Sequence, residues 1–402
     1  MRTIRQGTVI DGRFHLDERI DSGGFAVVWL ATDRDADPDF DSEVVVKTPD
    51  PGSVNDALEV EEAFERAQGF VERFADAIQP TSFARQIAAE TADCDPSYVA
   101  YEYVPGETFD DGVTPGSSLA RTVALRLCHA IAYLHLNGYL YLDLKPENVH
   151  LLDGDRPVLI DFNTVVPRET GSGLVIEQDG YKPPEQTPAH NDPSRISARS
   201  DVFACGAVMY RLWTGDDPPT DRDRLPLDPR SSATNCPRKL ATVIEHATEP
   251  DPDDRPENAI SLLERLLGAI DAPGYPVGLF DPRTETHVPV SPSTRVGRAI
   301  DRGDRPDVWF AADEYVSPVQ FQIVRGGAGD WRVADRSTNG TYVETGGTVE
   351  YLLSEHGRER NREHPSATVP TPPPPAETSV ADGAVVRPID ENYHREFVVK
   401  RS

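Results

Sequence analysis

Five polar side chains, Lys47, Asp143, Lys145, Asn148 and Asp161, are of the types and spacing that could move a phosphoryl group. That chemistry needs close backbone approach to a polyphosphate, a positive point charge, and Mg2+ held by oxygen ligands. The stretch "IDSGGFAVVWLA" (20–31) offers the first: Gly23 and Gly24 form a tight turn between β-rich runs, and Val28 follows where an apolar roof over a base would sit. A glycine turn between strands is usually only a hairpin, and a lysine ending a strand is usually a solvated charge. Lys47 closes the apolar run "VVVK" behind that turn, which makes it a candidate phosphate ligand. In "YLDLKPEN" (141–148) Asp143 and Asn148 share one loop, and "DFN" (161–163) supplies Asp161 after a stretch, "VHLLDGDRPVLI", that can fold as a hairpin and return it to Asn148. An amide oxygen and a carboxylate together can hold a metal. A separate carboxylate, Asp143, can accept a hydroxyl proton, and Lys145 can neutralise charge on the moving group.

The elements that must position these groups are legible around them. "RFHLDERI", "AVVWLATD" and "EVVVKT" read as strands within 13–48, and "SYVAYEYV" as another. Between them, Val60, Ala63, Phe64, Ala67, Phe70, Val71, Phe74 and Ile78 recur at helical spacing. From about 117 to 268 the pattern is mostly helical. "SSLARTVALRLCHAIAYLHLNG" opens on serines able to cap and stops at Gly138, "DVFACGAVMYRLWTG" stops at Gly215, and "PENAISLLERLLGAI" carries proline in its first turn. After "DAPGYP" (271–276) short alternating runs take over: "DVWFAAD", "VQFQIV", "WRVAD" and "TYVET". "RERNREHPSATVPTPPPPAETS" is charged and proline-rich and reads as disordered or extended; "DGAVVRPID" and "REFVVK" read as two closing strands.

Eight motifs in order, "GGFAVVWLA", "VVVK", "YEYVPG", "YLDLKPEN", "DFN", "GYKPPE", "SDVFACG" and "DDRP", resemble the protein kinase family over about residues 13–268. The resemblance implies an α+β bilobal protein kinase fold over 8–268, with a small β-rich lobe (8–105) and a large α-rich lobe (106–268). It implies that Lys47 contacts the α- and β-phosphates of ATP and that Asp143 is the catalytic base with Lys145 beside the γ-phosphate. Asn148 and Asp161 would ligate Mg2+. Glu102 and Val104 would offer backbone groups to adenine, with Tyr101 the bulky residue behind. Glu185 would pair with Arg255, and Asp201 would hold the catalytic-loop backbone. Lysine after the aspartate in "DLKPEN" is more like serine/threonine kinases than tyrosine kinases. The family also needs a helix glutamate against Lys47; Glu62, Glu65 and Glu72 are all candidates.

Departures from the family pattern are local. Tyr141 and Leu142 replace the usual histidine and arginine, which removes the obvious cation for a phosphorylated activation segment, although Thr164, Thr170 and Ser172 lie there. Asn163 follows "DF" in place of glycine, Asp21 and Ala26 replace loop glycines, and Gln178 sits where a threonine usually contacts the base.

"TRVGRAIDRGDRPDVWFAADEYVSPVQFQIVRGGAGDWRVADRSTNGTYV" resembles a forkhead-associated (FHA) domain, an all-β sandwich whose loops bind phosphothreonine. The resemblance carries Arg298, Ser317, Thr338 and Asn339 as the phosphothreonine site, since an arginine and hydroxyls converging on a dianion all donate to its oxygens. Pro318 stands where a second basic residue often sits, and Gln320 replaces a structural histidine. The domain would run 276–402 after a linker at 269–275, with a disordered proline-rich insertion at about 356–380.

Composition excludes other classes. A net charge of −28 repels nucleic acid and anionic lipid, so neither is expected as a partner. Acidic and lysine-poor, the chain suits a high-salt cytoplasm or a GC-rich genome. Cys94, Cys128, Cys205 and Cys236 form no CxxC pair and read as reduced thiols. With no apolar signal core or membrane-length run, the expected location is the cytoplasm. "DRDADPDFD" (33–41) lacks the glycine and glutamate of a calcium loop and reads as a solvated hairpin; His129, His135 and Trp213 read as core. Expected, then, is a serine/threonine protein kinase using Mg-ATP on protein substrates, with a module for phosphothreonine-containing proteins or its own phosphosites. The alternative is a silent pseudokinase scaffold that uses both domains for binding. A small-molecule kinase fits "DLKPEN" and "GYKPPE" poorly.

Overall fold

The computed structural model describes residues 4–22, 26–50, 52, 57–91, 96–170, 179–187, 192–232, 235–270, 277–300, 305–311, 314–327, 329–363 and 372–401. The chain divides into two compact units, 1–36 with 42–75 and 82–274, and 37–41 with 76–81 and 275–402.

In the first unit one antiparallel sheet runs in the order Val9–Ile10, Phe14–Ser22, Ala26–Asp33, Glu43–Pro49, Tyr98–Glu102, Gln86–Glu90. Side chains alternate faces along a strand. One face buries Phe14, Leu16, Trp29, Ala31, Val44, Val46 and Ala100. The register pairs Val28 with Lys47 and Val45 with Tyr101, so these four share the other face. The apolar side of the helix Ala57–Phe74 is buried as its spacing predicts. There the Phe70 ring stacks on Phe162, with centroids 5.2 Å apart.

Four longer helices follow in this unit: Ser118–Leu136, Ala198–Thr214, Arg238–Ala247 and Ala259–Ala269. Ser117 caps the first, accepting from the Ala120 N–H at 3.1 Å. Gly215, at φ 79°, ends the second in a left-handed turn that favours glycine. The last begins later than its proline suggests. Asn258 Oδ1 accepts from Ile260 and Ser261 N–H, both at 3.0 Å, and this side-chain cap sets the start beyond Pro256. The hairpin read from "VHLLDGDRPVLI" forms as Val149–Leu152 against Arg156–Leu159. Ile160 N–H then donates to Asn148 O at 3.1 Å, which returns Asp161 to the 141–148 loop.

Among the described residues the second unit has two six-stranded sheets. One orders Thr286–Val290, Val277–Asp281, Phe397–Arg401, Val385–Pro388, Thr341–Thr345, Thr348–Leu352; the other orders Glu377–Ser379, Trp331–Asp335, Phe321–Arg325, Arg295–Arg298, Val308–Phe310, Gln79–Pro80. Phe310 and Phe321 from one sheet meet Phe397 from the other at centroid distances of 4.8 and 6.1 Å, which closes a sandwich core. The first unit is thus an α+β fold, with its sheet preceding most of its helices, and the second is an all-β sandwich apart from one short helix.

The proline-rich insertion differs from its sequence expectation. Glu355–Glu363 is a helix and Glu377–Ser379 a strand paired with Trp331–Asp335; 372–376 has neither helix nor strand, and 364–371 lies outside the described residues. The helix is anchored rather than self-stabilised. Ser354 Oγ donates to Ser337 O at 2.6 Å and accepts from Gly357 N–H at 3.1 Å. A side chain at position 357 would strike the Leu353 side chain at 2.6 Å and press on Ser337 O at 3.1 Å.

Candidate functional site

A cavity of about 950 Å3 in the first unit is lined by Val28, Lys47, Glu102, Val104, Asp143, Lys145, Asn148 and Asp161, together with Ile20, Asp21, Tyr101 and His150. All the described residues predicted for phosphoryl transfer and base binding therefore converge. Gly23 and Gly24 lie outside the described residues, as do Ser172 and Gln178.

The chemistry concentrates on one loop. Asn148 Nδ2 donates to the Asp143 backbone O at 2.8 Å and to its Oδ2 at 2.9 Å. With its N–H groups so used, Asn148 has its amide oxygen as its remaining polar atom, an oxygen of the type that can hold a metal. Lys145 Nζ lies 3.4 Å from Asp143 Oδ1. Burial opposes the Lys145 charge, but Asp143 and Asp179 outweigh it and hold the ammonium above the usual lysine range. Asp161 Oδ1 accepts from Asn163 N–H at 3.0 Å and meets Lys47 Nζ at 2.9 Å. Asn148 and Asp161 offer oxygens, and Lys47 and Lys145 cations, of the kinds that a polyphosphate with a divalent metal requires, so the residues present fit such a group.

The loop is fixed from behind. Leu142 has a left-handed φ of 65°, uncommon for a side chain of its size. Asp201, buried, holds this backbone by accepting from Tyr141 N–H at 2.9 Å and Leu142 N–H at 2.7 Å. His135 orients Asp201: its Nδ1 accepts from Ala259 N–H at 3.0 Å, so Nε2 carries hydrogen and donates to Asp201 Oδ2 at 2.9 Å. Tyr141 takes the histidine's place as a buried core ring. Burial, then Asp161, Asp143 and Asp201, push its phenol well above the usual range. The Thr164 hydroxyl donates to Tyr141 O at 2.8 Å. Glu185 and Arg255 form the anticipated buried pair at 2.8 and 3.0 Å.

Two features escaped the sequence. His150 follows Asn148 by two positions, and its Nδ1–H donates to the Val104 carbonyl at 3.0 Å, so that carbonyl already has a partner within the chain. None of the three helix glutamates pairs with Lys47: Glu62 pairs with Arg66 at 3.7 Å, Glu72 accepts from Gln68 at 2.8 Å, and Glu65 is exposed. The position one turn before Phe70, on the side that meets Phe162, is Arg66. Asp161 orients Lys47 instead. Glu62→Gln, Glu65→Gln and Glu72→Gln are therefore each expected to keep kcat for phosphate transfer within about threefold of the parent, and steady-state kinetics on the three variants checks this.

In the second unit three of the predicted phosphothreonine ligands, Ser317, Thr338 and Asn339, lie on loops, and the fourth, Arg298, ends the strand Arg295–Arg298. Ser317 Oγ is 3.3 Å from both Thr338 Oγ1 and Thr338 N. Asn339 Nδ2 donates to Tyr315 O at 2.7 Å. Arg298 Nε donates to Val316 O at 3.1 Å, and its Nη1 meets the Asp39 carboxylate. Gln320, where the resemblance implies a histidine, is buried; it donates to Gly340 O at 2.7 Å and accepts from Ser317 N–H at 3.0 Å. Arg360, on the insertion helix, donates to Asn339 Oδ1 at 3.0 Å.

Among the described residues no helix is long and apolar enough to cross a membrane. The FHA domain family matches residues 294–353. Similar curated proteins are bacterial. Serine/threonine-protein kinase D of Synechocystis is 28% identical, with 66% of this chain and 54% of that protein covered. The probable serine/threonine-protein kinase PkwA of Thermomonospora curvata is 31% identical over 63% of this chain and 34% of its own length. Serine/threonine-protein kinase PknA of Nostoc is 29% identical over 66% and 49%. The chain thus spans about half the length, or less, of these relatives. The protein kinase domain family matches residues 14–270, more than half of the chain and the whole of the cleft described above, so the protein belongs to the protein kinase family and carries an FHA domain behind its kinase domain.

Proposed function

We propose that the protein is a serine/threonine protein kinase that transfers the γ-phosphoryl group of Mg-ATP to protein hydroxyls, and that its FHA domain binds phosphothreonine peptides. The convergence of Lys47, Asp143, Lys145, Asn148 and Asp161 on one cavity carries this proposal. Lys47 would hold the α- and β-phosphates, while Asn148 and Asp161 would hold Mg2+, which offsets phosphate charge when bound. Asp143 would accept the hydroxyl proton of the acceptor, and Lys145 would stabilise charge on the transferring group. The backbone of Glu102 and Val104 would meet the adenine beneath Val28, and Gly23 and Gly24 would cover the phosphates. Buried free thiols at Cys128, Cys205 and Cys236 support a cytoplasmic location.

The test is incubation with γ-labelled ATP, Mg2+ and a generic basic protein, followed by phosphoamino-acid analysis. Label on serine or threonine is expected. Nucleotide binding with no transfer would instead establish a silent scaffold.

For the FHA domain, Arg298→Ala should weaken binding of a phosphothreonine peptide by at least tenfold, because a charge-assisted bond to a dianion is lost. Titration by fluorescence anisotropy, with the unphosphorylated peptide as control, measures it. Equal affinity of parent and variant would remove Arg298 from the site.

A further inference from the structure

Lys182, in "GYKPPE", is a buried lysine with no role in the chemistry above: its side chain is 3% exposed. Its Nζ donates to Leu142 O at 2.9 Å and to Asp143 Oδ1. Both acceptors belong to the catalytic loop, 40 and 39 positions away in sequence. The lysine's own segment is locked: Asp179 Oδ1 accepts from Tyr181 N–H at 2.8 Å and Lys182 N–H at 2.9 Å, and Glu185 is anchored on Arg255. Leu142 is the left-handed residue, so its peptide must be held by its surroundings. Asp201 holds the N–H side and Lys182, with Gln186 Nε2 at 3.3 Å, holds the carbonyl side. Asp143 is likewise tied at both oxygens, Oδ2 by Asn148 and Oδ1 by Lys182 and Lys145. Position 142 itself has no cation through which a phosphate on the chain could fix this loop. Lys182 supplies one from inside the fold, with its side chain buried.

We infer that Lys182 is a positioning residue for phosphoryl transfer, holding Leu142 and the Asp143 carboxylate in their working geometry without phosphorylation of the chain. The inference rests on the kinase function proposed above and assigns that site its mode of regulation.

The test uses the full chain. Lys182→Met should lower kcat about 100-fold, the scale of effect of a misplaced catalytic group, while KM for ATP stays within threefold; Lys182→Arg, which keeps the charge, should recover part of the loss. Phosphatase-treated parent protein should start at full rate with no lag. Amide hydrogen exchange at 139–145 should be faster in Lys182→Met than in the parent. Three results each overturn the inference: a Lys182→Met kcat within threefold of the parent, a parallel loss of ATP affinity and thermal stability with kcat, or a lag abolished by prior phosphorylation. If the parent protein transfers no phosphate at all, the kinase function fails instead. The exchange measurement still decides the lysine, since unchanged protection at 139–145 rules it out.

Discussion

Asp143→Asn is expected to transfer phosphate about a thousandfold more slowly than the parent protein while binding ATP with nearly unchanged affinity. Asparagine has the shape of aspartate, so packing around position 143 is kept. What disappears is the carboxylate that takes the hydroxyl proton, a contribution of roughly 10²–10⁴ in rate for general-base groups. Electrostatics push the same way. Lys145 at 3.4 Å and Lys182 both face Asp143 Oδ1, and with an amide there the two ammoniums lose the charge that balances them. Lys47, Asn148 and Asp161 are untouched, so the groups expected to bind nucleotide remain. Single-turnover transfer of labelled phosphate, with ATP affinity measured separately by competition, divides the two quantities. A rate within tenfold of the parent would show that Asp143 is not the proton acceptor. Equal loss of affinity and rate would show that it mainly supports the nucleotide pocket.

The cleft was legible because most of its groups are set by short stretches. "VVVK" places Lys47 through strand alternation, and "DLKPEN" places Asp143, Lys145 and Asn148 on one loop. The hairpin after it returns Asp161 by local pairing alone. What stayed hidden depends on distance or phase. Lys182 reaches Asp143 only through the tertiary fold, and nothing at position 182 marks it as different from a surface lysine. Helix phase turns by about 100° per residue, so three glutamates on an acidic helix could not be ranked until Phe70 was seen against Phe162. One turn before that contact stands Arg66 rather than a glutamate. The insertion misled for a related reason. "EHGRERNRE" has too little apolar surface to form a helix alone, and its stability comes from Ser354 and Gly357 against the 337–338 backbone. His150 reads as an ordinary strand residue, since its hydrogen bond is to a carbonyl 46 positions away.

Arg255→Leu is expected to destabilise the kinase domain by about 3–5 kcal/mol, the cost of leaving one partner of a buried ion pair uncompensated. The Arg255 side chain is fully buried and Glu185 only 3% exposed. All five guanidinium N–H groups are used: Nε on Glu249 O at 2.7 Å, Nη1 on Glu185 Oε1 and Arg199 O, Nη2 on Glu185 Oε2 and Pro250 O. Removing the arginine therefore leaves a buried carboxylate supported by Ser200 Oγ at 2.9 Å and three backbone carbonyls short of a donor. Glu185→Leu should cost less, because the guanidinium keeps its three carbonyl bonds. The double variant should cost less than the sum of the two, since no charge is then stranded, yet it should not regain parent stability while the carbonyls stay unpaired. Urea unfolding followed by tryptophan fluorescence gives the cycle, read on the transition assigned to the kinase domain. Additive costs would mean that the pair is not coupled. Because Glu185 anchors the segment that carries Lys182, Glu185→Leu should also lower kcat under conditions where the protein is still folded, which ties the stability of that ion pair to the geometry of the catalytic loop.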